Sequence, residues 1–191
     1  MMSAAPGNPD RLLLALDEYL DHPVRLVLYG RAAVWLGFIG VAAAVGGTRD
    51  IDGILSDADV KALHDDLQFW DARDAVHERF KSEGLYITHL FPASEVFLRE
   101  NWLEQIVPIT RLPLRHLNLF RPATIDLVLT KMMRGDDPQD MADAKFMIKH
   151  DAITTAQLEE AFTQMKPIEL VELRDAFKRA KPIILEMAKQ L

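Results

Sequence analysis

At 191 residues, 49% of them hydrophobic and 27% charged, the chain has ordinary globular composition and enough length to bury a core without staples. The absence of cysteine excludes disulfides, thiolate metal sites and cysteine nucleophiles. A formal net charge of −7 argues against a general nucleic-acid coat protein, and one domain, or a core with a helical appendage, is expected.

In chain order, NPDRLLLALDEYL opens as a helix: Asn8 can cap, Pro9 suits the first helical position, and Leu12, Leu13, Leu16, Tyr19 and Leu20 form an apolar stripe. This N-terminal stretch has no basic segment, and its run LLLAL is broken by Asp17, so it does not read as a secretory signal. PVRLVLYG is a strand ending at Gly30, RAAVWLGF a short helix, and TRDIDGIL a second strand. The uncharged stretch 32–47 falls short of the ~20 apolar residues of a membrane helix. A soluble, cytoplasmic protein with no membrane partner is expected.

SDADVKALHDDLQFW reads as one helix, with Ser56 and Asp59 in a capping-box pattern, and ARDAVHERFKSEG as the next, stopping at Gly84. LYITHLF is a strand by residue type, ended by Pro92; a helical turn near Trp102 and short strands around QIVPI and HLNLF follow. From Pro122 the pattern is helical: ATIDLVLTKMMR, PQDMADAKFMIKH, TTAQLEEAFTQM with a Thr154–Gln157 capping box, then PIELVELRDAFKRA and PIILEMAKQL, each opening with proline. No internal repeat is present. The expected fold class is α+β: a small mixed β-sheet core with helices over 1–121, followed by a helical C-terminal region over 122–191.

The chemistry gathers at GGTRDIDGIL. Side chains alternate along a strand, so Asp50 and Asp52 share one face while Ile51 and Gly53 take the other. Charged carboxylates are costly to remove from water unless paired or coordinated. Two of them on one strand face suit a hard cation such as Mg²⁺, which binds through one or two carboxylates plus substrate phosphates. A solvated pair on an edge strand has the same spacing, and both readings stand. Upstream, the strand LVLY feeds Gly30 and Arg31 into a helix N-terminus, where backbone N–H groups and the helix dipole suit a phosphate.

Strand, glycine turn, helix, then Asp-x-Asp on the next strand resembles the DNA polymerase β-like nucleotidyltransferase superfamily. TIDLVLTKMMRGDDPQDMADAKFMI is similar to the helical segment of the abortive-infection-type and related uncharacterised bacterial nucleotidyltransferases. The resemblance runs from about Val24 to about Ile148. It implies Asp50 and Asp52 as Mg²⁺ ligands, Gly30 and Arg31 as the phosphate-facing turn, and Lys131 as a cation near the nucleotide phosphates, faced by Asp140 and Asp143. Here the turn reads Gly-Arg rather than Gly-Gly or Gly-Ser. On LYITHLF, where the family places a third carboxylate, this chain has His89, whose neutral imidazole can serve as a base near pH 7. Glu95 lies beyond Pro92.

Charge is uneven along the chain. Residues 50–83 hold ten acids against four bases, whereas 108–135 hold Arg111, Arg115, Arg121, Lys131 and Arg134 against Asp126 alone. By analogy that basic stretch steers an acceptor such as tRNA; two solvated faces account for it equally. The doublets His64-Asp65 and His150-Asp151 fall on an amphipathic helix and at a helix end, so a histidine–aspartate phosphohydrolase is the weaker reading. Trp35, Trp70 and Trp102 read as core anchors, and Met132, Met133, Met141 and Met147 as packing between helices. Two functions remain: a Mg²⁺-dependent transferase moving a nucleotidyl group from a nucleoside triphosphate to an acceptor hydroxyl, or a catalytically inactive module of the same fold that binds a nucleotide or a protein partner, as in a toxin–antitoxin pair.

Overall fold

The computed structural model describes residues 6–166 and 169–190, and the His89 side chain lies outside that description. The protein is α+β: a mixed sheet with helices and a helical C-terminal region. Its residues fall into two compact units, one taking in the chain up to Pro92 together with Val107–Arg121, the other Ala93–Ile106 together with Pro122 onward.

The first unit holds a five-stranded sheet in the order β3-β2-β1-β5-β4. β1 (Val24–Tyr29) pairs antiparallel with β2 (Asp50–Leu55) and parallel with β5 (Leu117–Arg121). β3 (Tyr86–Pro92) lies parallel to β2, and the two-residue β4 (Val107–Pro108) antiparallel to β5. Leu26, Val27 and Leu28 are buried in succession, because a central strand is covered on both faces. α1 (Asn8–Tyr19) packs on α2 (Gly30–Gly37) and on α4 (Leu67–Phe80), while α4 covers β3 and α3 (Asp57–His64) covers β2. Leu12, Leu13 and Leu16 are fully buried as the stripe requires, but Tyr19 is 42% exposed.

Helix ends follow local chemistry. Ser56 Oγ accepts from Asp59 N, and Thr154 Oγ1 accepts from Gln157 N, as the capping-box patterns predict. At α1 the cap is Gly7 rather than Asn8: the Asp10 carboxylate reaches back to Gly7 N at 2.7 Å. The boundary between α3 and α4 also differs from the sequence reading. It falls at Asp65-Asp66 instead of after Trp70, because the Asp66 side chain accepts from Phe69 N at 3.0 Å and caps a new helix.

In the second unit α5 (Thr124–Lys131) runs into a 3-10 turn, Met132–Arg134, and packs on α6 (Pro138–His150) and α7 (Thr155–Gln164). α8 (Val171–Lys189) packs on α6, α7 and the 3-10 turn. Residues 93–106 join this unit through Arg99, whose backbone N and guanidinium bind the fully buried Asp126, and through a bridge from Arg99 to Met165.

α8 replaces the two proline-opened helices expected there, and Pro182 lies inside it; Pro167 lies outside the described residues. An interior proline removes one ladder bond and crowds the preceding turn. The helix continues because Ala176, Ala180, Ile184 and Ala188 present one buried face at four-residue spacing. Pro182→Ala is therefore expected to stabilise the protein by about 2 kcal/mol, the helix-interior cost less the freedom regained by the unfolded chain. A rise in the urea midpoint checks this; no rise would mean the buried face of α8 depends on the proline.

Candidate functional site

β2 carries the two aspartates as alternation predicts. Ile51 and Gly53 are buried on one face, while Asp50 and Asp52 stay half-buried on the other. A side chain at Gly53 would collide with Leu90 of β3, since its Cβ would lie 2.8 Å from Leu90 Cδ2; glycine lets the strands close there.

Each carboxylate is held by a threonine hydroxyl that sequence reasoning missed. Thr48 Oγ1 donates to Asp50 Oδ1 at 2.7 Å, and Thr88 Oγ1 donates to Asp52 Oδ1 at 3.0 Å. Hydrogen bonds to an ionised acceptor are the strong ones, so both carboxylates are oriented. The signal for Thr48 was its place two residues before Asp50, on the same strand face. Thr88 needed the pairing of β2 with β3, which no local pattern supplies.

Gly30 and Asp52 are brought together. Tyr29 lies opposite Asp52 in the β1–β2 register, and a Cβ on Gly30 would sit 3.5 Å from Asp52 Oδ2. Gly30 begins α2 with φ of 65°, a conformation that favours glycine. The N-cap residue Tyr29 makes no side-chain cap hydrogen bond there, and a helix N-terminus suits an anion. Arg31 follows in the first turn, half-buried.

The β2–β3 register is irregular at this point: Ile51 lies opposite Ile87 and Gly53 opposite Leu90, so two β3 positions, 88 and 89, fall against the one β2 position 52 in the backbone register. The hydroxyl shown to meet the carboxylate is that of Thr88. The expected role of His89 falls on a side chain outside the described residues. Glu95 is exposed in the 3-10 turn Ala93–Glu95 of the second unit. Among the described residues no group of three or more His, Asp or Glu could hold a metal ion. The donor set at Asp50 and Asp52 is nevertheless hard oxygen held in fixed orientation, which fits an ion that takes its other ligands from substrate phosphates and water.

The structure also draws Lys131, Asp140 and Asp143 together, within the second unit. Lys131 Nζ donates to Asp140 Oδ1 at 2.9 Å and Asp143 Oδ2 at 2.7 Å, and all three residues are buried. Arg134 Nε binds the other Asp140 oxygen. Burial pushes the Asp140 carboxyl up, but the hydrogen bond from Arg134 and the charge of Lys131 outweigh it and hold the group below its ordinary value. The cluster joins α5 to α6 across the loop between them.

In the basic stretch 108–135, Arg111, Arg115 and Arg134 are exposed, whereas Arg121 and Lys131 are buried. Arg111 stacks over Trp35 at 4.6 Å and donates to its carbonyl, Arg121 is buried over Phe38, and Lys131 is buried as described. Trp35 and Trp102 are core residues, as are Met132, Met141 and Met147. Among the described residues no helix is long and apolar enough to cross a membrane.

An Asp-x-Asp strand beside a glycine-started helix defines a candidate phosphate- and metal-handling centre on a mixed sheet. The chain belongs to a family of nucleotidyltransferases of unknown function, DUF6036, whose model matches residues 10–177. No curated protein and no solved structure matches the chain.

Proposed function

We infer that the protein transfers a nucleotidyl group from a nucleoside triphosphate to an acceptor hydroxyl, with Asp50 and Asp52 holding Mg²⁺. The observation that carries this reading is the pair of half-buried carboxylates, each fixed by a threonine, with Asp52 against the glycine turn of α2. In the reaction the acceptor oxygen bonds to the α-phosphorus as the bond to pyrophosphate breaks, and the acceptor's proton passes to a base, the role expected of His89. The α2 N-terminus and Arg31 bind the triphosphate and offset its charge. Thr48 and Thr88 keep the carboxylates aligned as substrate arrives. Bound Mg²⁺ supplies electrostatic stabilisation of the transferring phosphoryl group. Lys131, Asp140 and Asp143 are assigned to the same substrate only through the likeness to polymerase β-like enzymes and their abortive-infection-type relatives.

Thermal unfolding with each nucleoside triphosphate, with and without Mg²⁺, tests the reading. A ligand that binds only the folded state stabilises by ~2.7 kcal/mol at a hundredfold excess over Kd. The expected result is a Mg²⁺-dependent rise in melting temperature that disappears in Asp50→Asn/Asp52→Asn. No rise with any nucleotide, or one indifferent to both substitutions, overturns it.

A further inference from the structure

β3 is an edge strand of the sheet, so every second peptide of it faces away from β2. Tyr86 N donates inward to Arg49 O at 3.1 Å, which turns the peptide groups of Ile87 outward. They meet a side chain there. His77, on α4, sets its Nε2 at 3.1 Å from Ile87 N and 3.0 Å from Ile87 O. One tautomer accepts from the N–H and the other donates to the C=O, and either fixes the same edge of the strand. α4 packs on β3, and the Ile87 side chain is buried.

The place of this clasp matters, because the register slips directly after it. Ile51 pairs with Ile87 and Gly53 with Leu90, so β3 spends one residue more than β2 across position 52. A bulge of this kind breaks the local ladder and re-aims side chains, so bonds outside the ladder decide where it sits. Thr88 opens the bulge, and its hydroxyl donates to Asp52 Oδ1 at 3.0 Å. Consecutive residues of β3 are thus held from opposite sides, Ile87 by His77 and Thr88 by β2. A shift of the Ile87 peptide would swing the Thr88 hydroxyl, whose bond to Asp52 weakens steeply with angle. His77 also borders a solvent-open cleft, flanked by Arg73 and Lys81. Removing its nitrogen therefore admits water to the strand edge instead of opening a buried hole, and the fold as a whole loses little.

We propose that His77 is a positioning residue for the metal held by Asp50 and Asp52: it locks the bulge that aims the Thr88 hydroxyl at Asp52. The proposal rests on the reading of those aspartates as Mg²⁺ ligands, and its test separates the two. The probe is the nucleoside triphosphate that gives the largest melting shift, bound to the full chain and followed by calorimetry in excess Mg²⁺ and again in EDTA. His77→Leu and Thr88→Val are each expected to weaken binding about tenfold in Mg²⁺, the lower end of what groups that orient metal ligands are worth, and to leave binding in EDTA unchanged. His77→Gln, whose amide can meet the same peptide, is expected to bind as the wild type does. Because His77 acts through Thr88, the double variant should bind no worse than either single one. The Ile87 amide should also exchange faster with deuterium in His77→Leu, while the unliganded melting temperature stays near that of the wild type. Should His77→Leu not fold, His77→Asn, whose amide stops short of Ile87, carries the same expectations. Unchanged binding in His77→Leu, equal losses in Mg²⁺ and EDTA, losses that add in the double variant, or a His77→Gln as impaired as His77→Leu each overturn the proposal while the transferase reading stands. Absence of Mg²⁺-dependent nucleotide binding by the wild type overturns that reading, and the role of His77 with it.

Discussion

Lys131→Met is expected to cost about 3–5 kcal/mol of stability, because it leaves buried carboxylates without their cation. Lys131 Nζ donates to both Asp140 and Asp143, and the three side chains are nearly inaccessible, at 5%, 7% and 5% exposure. Methionine fills a similar volume, so the loss reports charge rather than a cavity. Asp140 retains Arg134, whereas Asp143 loses the cation seen to bind it here. Adding Asp143→Asn to Lys131→Met should therefore recover part of the loss, since an uncharged amide is cheaper to bury than a carboxylate that has lost the lysine. Urea unfolding of the wild type, the single and the double variant reads this as a cycle. If Lys131→Met is as stable as the wild type yet loses nucleotide-dependent stabilisation, the lysine serves the substrate and its buried pairs contribute little.

Asp17→Asn is expected to cost about 3 kcal/mol at neutral pH, and the cost should shrink as the pH falls. The Asp17 carboxylate accepts from three consecutive backbone N–H groups, those of Arg115 at 2.8 Å, His116 at 2.8 Å and Leu117 at 2.7 Å. Asparagine offers one acceptor oxygen and turns an amide N–H toward donors, so at least one buried N–H is orphaned. Burial pushes the Asp17 carboxyl up, but the backbone hydrogen bonds outweigh it and hold the group below its ordinary value. A carboxyl lowered on folding contributes stability above its unfolded value and loses it as the pH falls through its folded value. Asp17 and Asp140 both act in this sense, so stability should decline below about pH 4, and the acid limb of Asp17→Asn should be shallower. His22 acts oppositely: Asp21 and then Asp66 raise it, so its contribution is present below the unfolded value and lost as the pH rises through the folded one. Denaturant midpoints between pH 2 and 8 for wild type and variant check the signs. Parallel acid limbs would show that Asp17 is not ionised against those N–H groups.

Much of the local structure was legible because it is written by neighbours in sequence. The Ser56 and Thr154 caps, the glycine that begins α2, and the alternation placing Asp50 and Asp52 on one strand face each depend on residues within a few positions. The misplaced boundaries have an equally physical origin. The Asp65-Asp66 break was hidden in a pattern that stayed amphipathic across it, and Pro182 suggested a helix start where a continuous buried face overrode the proline. Of the candidate site, the aspartates and the glycine turn could be named from sequence, whereas Thr88 could not be placed; in the second unit, the resemblance had already set Asp140 and Asp143 facing Lys131.

The sequence by itself determined the classes of element, their order, and a paired-carboxylate strand following a glycine turn, since backbone sterics and side-chain periodicity act over one or two turns of chain. Only the tertiary structure decided which distant groups meet. Asp17 finds N–H groups a hundred residues away on the approach to β5, Arg99 closes on Asp126, and Thr88 reaches Asp52 through an irregular parallel pairing. A buried charge or an oriented hydroxyl takes whatever partner the topology delivers, and topology is set by burial of the whole apolar surface rather than by residues near it in sequence.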